Sequence, residues 1–187
     1  MGNQIKLNLG CGKHPVDGYI NVDKYGEPDV RHDLETFPWP WEDSSVSMIL
    51  LNHVLEHLGQ ETNIYLNIIK EIYRVCENRA VIHIVVPHPR HDDFINDPTH
   101  VRIVTPETIA LFSKSNNRKW IEGGFASTPL GIYLDVDFEI QQAEQLLDTI
   151  WIDRINRNEV TMDQVSQYLR QYNNVIKEYR MVVNVIK

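Results

Sequence analysis

Two apolar runs, VSMILLN at 46–52 and AVIHIVVP at 80–87, bracket a stretch of helical periodicity at 61–75. A sheet strand with one wet face alternates apolar and polar side chains. Runs this continuous suit strands covered on both faces. Between them Ile64, Ile68, Ile72 and Val75 recur at the spacing of one helix face. Buried strands alternating with helices constrain the chain to an open α/β sheet.

The remaining segments extend that pattern. IKLNLG at 5–10 and YINVD at 19–23 read as strands, and DVRHDL at 29–34 as a shorter one. Thr105 is placed to cap a helix that has Pro106 first and Thr108 third. IYLDVDFEI at 132–140 has a strand pattern. Thr161 caps a helix over MDQVSQYLRQY, and residues 175–187 alternate as a closing strand. No linker or repeat divides the 187 residues, so a single domain over 1–187 is expected. A helical insertion is expected around 141–174, as a lid or the face of a homodimer, with Trp151 and Tyr168 in its core.

Charge narrows the partners. The net charge of −8, from 26 acidic and 18 basic residues, repels phosphate backbones, and no Lys/Arg run offsets it. A small-molecule substrate is expected, with no nucleic acid. No apolar run approaches the ~20 residues of a membrane span. Cys11 and Cys76 form no disulfide framework, and the N-terminal residues show no secretory pattern, so a cytoplasmic protein is expected. All eight histidines fall at or before residue 100, which concentrates polar chemistry in the first part of the chain.

In open α/β sheets ligands bind at the C-terminal ends of the parallel strands. Those ends carry unusual residues. The first ends in Leu9-Gly10-Cys11-Gly12, whose glycines allow a sharp turn and close backbone approach to a ligand. The second ends in Asp23, placed to hold a ribose diol through charge-assisted hydrogen bonds. The third ends in Asp33-Leu34, the fourth in Asn52-His53, and the fifth in Pro87-His88.

Together these residues resemble the class I S-adenosylmethionine-dependent methyltransferases, especially the group called methyltransferase type 11. LNLGCG is similar to that family's first motif, NVD to its ribose-binding acid, and HDLETFPWPWEDSSVSMILLNHVLEHL to its adenine-binding acid, fourth strand and following helix start. The closing YRMVVNVIK is similar to the family's last, antiparallel strand. The resemblance implies a Rossmann-like, mostly parallel seven-stranded sheet with helices on both faces. It implies S-adenosylmethionine as cofactor, with Leu9, Gly10, Cys11 and Gly12 along the methionine portion. Asp23 with Val22 would meet the ribose, Asp33 with Leu34 the adenine, and Asn52 with His53 the region of the sulfonium. The chain departs from the family where His14 replaces the third glycine. Only ten residues separate Gly12 from Asp23, which leaves room for a turn or so of helix.

Two further features bear on chemistry. His53, Glu56 and His57 spell the inverted zinc-peptidase spacing, but they begin at a strand end and precede Gly59. No residue is assigned to a metal. His83 reads as a core histidine, and the FPWPW loop at 37–41 as an aromatic cluster packed beneath a loop. The segment 88–102, rich in ionisable groups after the fifth strand, is expected to face the substrate. There His91 or His100 would act as base, with Arg102 or Arg90 binding an anionic part of the acceptor. The expected function is methyl transfer to an O or N of a small molecule, such as a sugar or other metabolite. The alternatives are a non-catalytic cofactor-binding partner domain and a zinc-dependent hydrolase.

Overall fold

The computed structural model describes residues 4–187. Seven strands form one sheet in the order β3-β2-β1-β4-β5-β7-β6. They are β1 (Ile5–Leu9), β2 (Ile20–Asp23), β3 (Val30–Arg31), β4 (Val46–Asn52), β5 (Cys76–Pro87), β6 (Phe138–Leu147) and β7 (Ile176–Val185). The first five run parallel. β7 is antiparallel to β5 and to β6. This is an α/β Rossmann-like fold with a reversed strand near one edge.

The crossover helix between β4 and β5 is α1 (Thr62–Val75). Its Ile68, Ile69 and Ile72 bury against Ile49 and Leu51 of β4 and Ile82 and Ile84 of β5 in the main core. A short helix, α2 (Asp92–Ile95), interrupts the connection after β5. Then comes α3 (Pro106–Ala110), which has the expected Thr105 cap: Thr105 accepts from the Thr108 amide while the Thr108 hydroxyl accepts from Thr105 N–H. α4 (Lys114–Glu122) follows and was not legible in the sequence.

Residues 132–140 do not form one strand. Leu130–Leu134 is a helical turn, α5, which closes at Asp135 in the left-handed region with φ 55°. The Asn117 side chain accepts from the Ile132 amide, and Lys114 Nζ bonds Asp135 at 2.6 Å. These contacts hold the segment helical against its alternating pattern. β6 therefore starts at Phe138 and runs through Leu147, so the insertion begins at Asp148 rather than near 141. It contains α6 (Thr149–Asn156) and α7 (Met162–Tyr168), the latter with a Thr161–Gln164 capping box. A small satellite core of Val160, Val165 and Val175 holds it together, with Trp151 and Tyr168 packed alongside.

Among the described residues no helix links β1 to β2. The polar side chains of Asn8 and Asn21 brace the 11–18 loop instead. Asn8 Nδ2 donates to the His14 carbonyl and to Asn21 Oδ1. Asn21 Oδ1 accepts from the Val16 amide at 2.7 Å, and the Asn21 amide donates to Asp29. This loop lies on the sheet face opposite α1, where β4, β5 and β7 present half-buried Leu50, His83, Val85 and Val182. No helix among the described residues is long and apolar enough to cross a membrane.

Candidate active site

Two clefts open along the C-terminal edge of the parallel strands and meet at Gly10 and His53. The first, of about 440 Å³, runs past Asp23, Asp33, Leu34, Val54 and His57. The second, of about 650 Å³, runs past Cys11, Gly12, Asn52 and His83. Both volumes fall in the range of small-molecule sites.

Gly10 lines both clefts where they meet, and nothing larger fits there. Its φ is +65°, and a Cβ there would lie 2.6 Å from a Val54 methyl. Gly12 has φ +53°, with open space where a Cβ would stand. Its amide donates to Asp23 Oδ2 at 2.9 Å, and Asp23 Oδ1 accepts from the Tyr25 amide at 2.8 Å. Each Asp23 oxygen keeps a lone pair for a further donor. The glycine turn and the acid of the second strand thus form one unit.

Asp33 Oδ1 accepts from the Glu35 amide, and Lys24 Nζ stands 3.6 Å from Oδ2. Leu34 is buried, and its carbonyl accepts from Trp39 Nε1 at 3.1 Å. Trp39 and Trp41 pack edge to face beneath the loop. Arg74 of α1 ties that loop down through the carbonyls of Trp39 and Trp41 and the carboxylates of Asp43 and Glu71. The aromatic cluster thus shapes the cleft from below.

Leu9 and Val22 are fully buried in the sheet and do not line either cleft. They position the residues that follow them. Cys11 is buried too, and its burial, aided by Asp23, pushes the thiol pKa up. The sequence reading missed Tyr25, which lines the first cleft and is 72% exposed. The one signal for it is its place just after the strand-ending acid. His83, read as a core histidine, is half-buried at the second cleft.

His53 has φ +54° and sits where the clefts meet. Its Nδ1 is 3.3 Å from Glu56, and its Nε2 is 3.4 Å from Glu178 of β7. Glu56 raises the imidazole pKa most, burial opposes that, and Glu178 adds to the rise.

The segment 88–102 is differently employed from what its composition suggests. His91 is buried: Nδ1 accepts from the Asp93 amide and Nε2 donates to Asp148 at 3.0 Å. Both ring nitrogens are occupied in fastening the insertion. Arg90 does the same through the carbonyls of Leu169 and Arg170 and the Asn173 side chain. Arg102 lies over the Tyr65 ring, 4.6 Å from its centroid, and donates to the Gly59 carbonyl. Burial pushes the Tyr65 hydroxyl up to about 12, with Arg102 pulling the other way. His100 bonds the Phe94 carbonyl and packs against His57. Of the four, none lines the clefts directly.

The inverted zinc-peptidase spacing is carried by a strand end and a three-residue 3-10 turn, Leu55–His57, not by a long helix. His53 lies before that turn, in the left-handed region at φ +54°, so the two histidines do not share one helical face as that chemistry requires.

No protein-family model matches the chain, and no curated protein matches it. Solved structures do. The chain is similar to a SAM-dependent methyltransferase from Archaeoglobus fulgidus, with a TM-score of 0.60 at 19% identity over 98% of this chain and 86% of that one. It is similar to the YcgJ protein of Bacillus subtilis, with a TM-score of 0.54 at 14% identity over 98% and 92%. A SAM-dependent methyltransferase from Methanosarcina mazei gives a TM-score of 0.53 at 12% identity over 100% and 94%. At these identities the likeness establishes the fold.

Proposed function

We propose that the chain is a methyltransferase that uses S-adenosylmethionine to methylate an oxygen or nitrogen of a small-molecule acceptor. The observation that carries this reading is the Gly12–Asp23 unit. It places a side-chain-free turn and a ribose-ready carboxylate together on the active edge, in the fold that the similar methyltransferases share.

The residues present fit the cofactor. Asp23 has lone pairs free for a ribose diol. Leu34 and exposed Tyr25 offer surfaces for a flat base, with Asp33 able to accept from an exocyclic amine. Gly10 leaves the passage between the clefts open, so that the amino-acid portion lies over Gly10–Gly12 near Asn52. When bound, the cofactor supplies the sulfonium leaving group. The protein must then align acceptor and methyl and exclude water.

In this reading His53 takes the base role expected of His91 or His100. It stands at the junction of the clefts, with Glu178 placed to stabilise the imidazolium after it accepts the acceptor's proton. The net charge of −8 favours a small acceptor over nucleic acid. Two buried free thiols suit a reducing, cytoplasmic setting.

Calorimetric titration with S-adenosylmethionine and with S-adenosylhomocysteine tests the reading. Micromolar binding is expected, weakened about tenfold or more in Asp23→Ala by loss of charge-assisted hydrogen bonds. Absence of binding by folded protein would overturn it.

A further inference from the structure

We propose that Glu56, His57 and His100 bind a divalent first-row transition-metal ion at the lip of the first cleft. One donor atom from each of the three lies within 4.8 Å of the others. Side-chain shifts of about an ångström bring such a set to metal–ligand distances of ~2.1 Å.

Glu56 supplies an independent sign that the site suits a cation. It is 1% exposed, and neither carboxylate oxygen has a hydrogen-bond partner. His53 Nδ1 comes to 3.3 Å of Oε1 without hydrogen-bond alignment. A buried carboxylate without donors is costly, and a bound cation is the neighbour that removes the cost.

The two histidines are held in the ligating tautomer. Thr99 Oγ1 spends its one proton on Asp97 Oδ1 at 2.6 Å, so at 2.9 Å from His57 Nδ1 it must accept. His57 Nδ1 therefore carries the hydrogen and Nε2 the free lone pair. His100 Nδ1 stands 3.0 Å from the Phe94 carbonyl, which can only accept, so its Nε2 is free too. An outer N–H held by a carbonyl or hydroxyl is how ligating histidines are oriented. Asp97 Oδ2, 3.8 Å from His100 Nε2, adds negative charge without a hydrogen bond. The backbone fixes the pairing, because the Val101 and Arg102 amides both donate to the Glu56 carbonyl.

Two imidazoles and one carboxylate suit zinc, manganese, iron or cobalt better than calcium or magnesium, which favour oxygen ligands. Three protein ligands leave coordination positions open. His57 and Thr99 line the first cleft, so those positions face it. Any part of the ion in catalysis rests on the methyl-transfer reading. In that case it would hold an oxygen of the acceptor, pointing to a hydroxyl, carboxylate or phosphate rather than a bare amine.

The test uses the metal-stripped full chain, titrated with Zn²⁺ by calorimetry and with Co²⁺ by visible absorption. One ion per chain is expected. His57→Ala, His100→Ala and Glu56→Gln should each weaken binding by about tenfold or more, and Thr99→Val by about tenfold through lost orientation. His88→Ala should leave it unchanged. Circular dichroism checks each variant, and if Glu56→Gln does not fold, the His57 and His100 variants decide. No binding tighter than millimolar, or binding that survives both histidine changes, would overturn the proposal. The titration contains no cofactor, so it stands or falls apart from the binding of S-adenosylmethionine.

Discussion

His53, just after the parallel strand β4, and Glu178, on the antiparallel strand β7, meet at 3.4 Å at the C-terminal edge of the parallel strands. The reversed strand thus contributes a charged group to the site. If His53 is the base, His53→Ala should lower turnover about 10²- to 10⁴-fold. Affinity for S-adenosylhomocysteine should change only a few-fold. A steady-state assay beside calorimetry separates the two effects, and equal losses in both would assign His53 to binding alone.

Gly10 is held at φ +65° against Val54. Gly10→Ala should cost at least about 1–2 kcal/mol in stability, from left-handed backbone and the crowded Cβ. It should also narrow the passage between the clefts and weaken cofactor binding by about tenfold or more. Chemical denaturation and calorimetry on the same protein check both. Gly12→Ala has room for its Cβ, so its cost should come from backbone conformation and from intrusion on the ligand.

Glu71 links α1 to the tryptophan loop. It accepts from the Trp39 amide at 2.6 Å and from Arg74. The Arg74 hydrogen bond holds its carboxyl below the ordinary 4.5, against the opposing effect of burial. A depressed carboxylate contributes stability above its unfolded pKa and loses it as pH falls through the lower folded value. Glu71→Gln should therefore destabilise by about 2 kcal/mol at pH ~7, with the gap to the parent protein narrowed at an acidic pH below the ordinary glutamate range. Thermal melts at the two pH values measure this.

His91→Ala should act on the insertion and spare the chemistry. The change removes the bond to Asp148 and the cap on the Asp93 amide. Limited proteolysis should then cut faster within 148–175, while affinity for S-adenosylhomocysteine stays within about twofold. A large loss of turnover with unchanged proteolysis would return His91 to the reacting centre.

Much of the fold was written locally. The apolar runs of β4 and β5, the periodicity of α1 and the caps at Thr105 and Thr161 all depend on neighbouring residues, and the structure has each of them. The 130–134 turn was not legible, because the contacts that decide it come from Lys114 and Asn117. The same limit governs the site. Gly10, Gly12, Asp23 and Asp33 announce themselves by their places at strand ends. That Glu178 would face His53, 125 positions earlier, is set by the register of β7 on β5. Composition made 88–102 look reactive, whereas Arg90, His91 and Arg102 spend their polar atoms and charge on holding loops and insertion in place.

The central claim is that one cofactor spans both clefts across Gly10. A crystal structure of the protein with S-adenosylhomocysteine tests it most directly. The account predicts the ribose hydroxyls on Asp23, the base between Leu34 and Tyr25 near Asp33, and the amino-acid portion over Gly10–Gly12 beside Asn52. A ligand bound elsewhere, or confined to one cleft with Asp23 untouched, would contradict it.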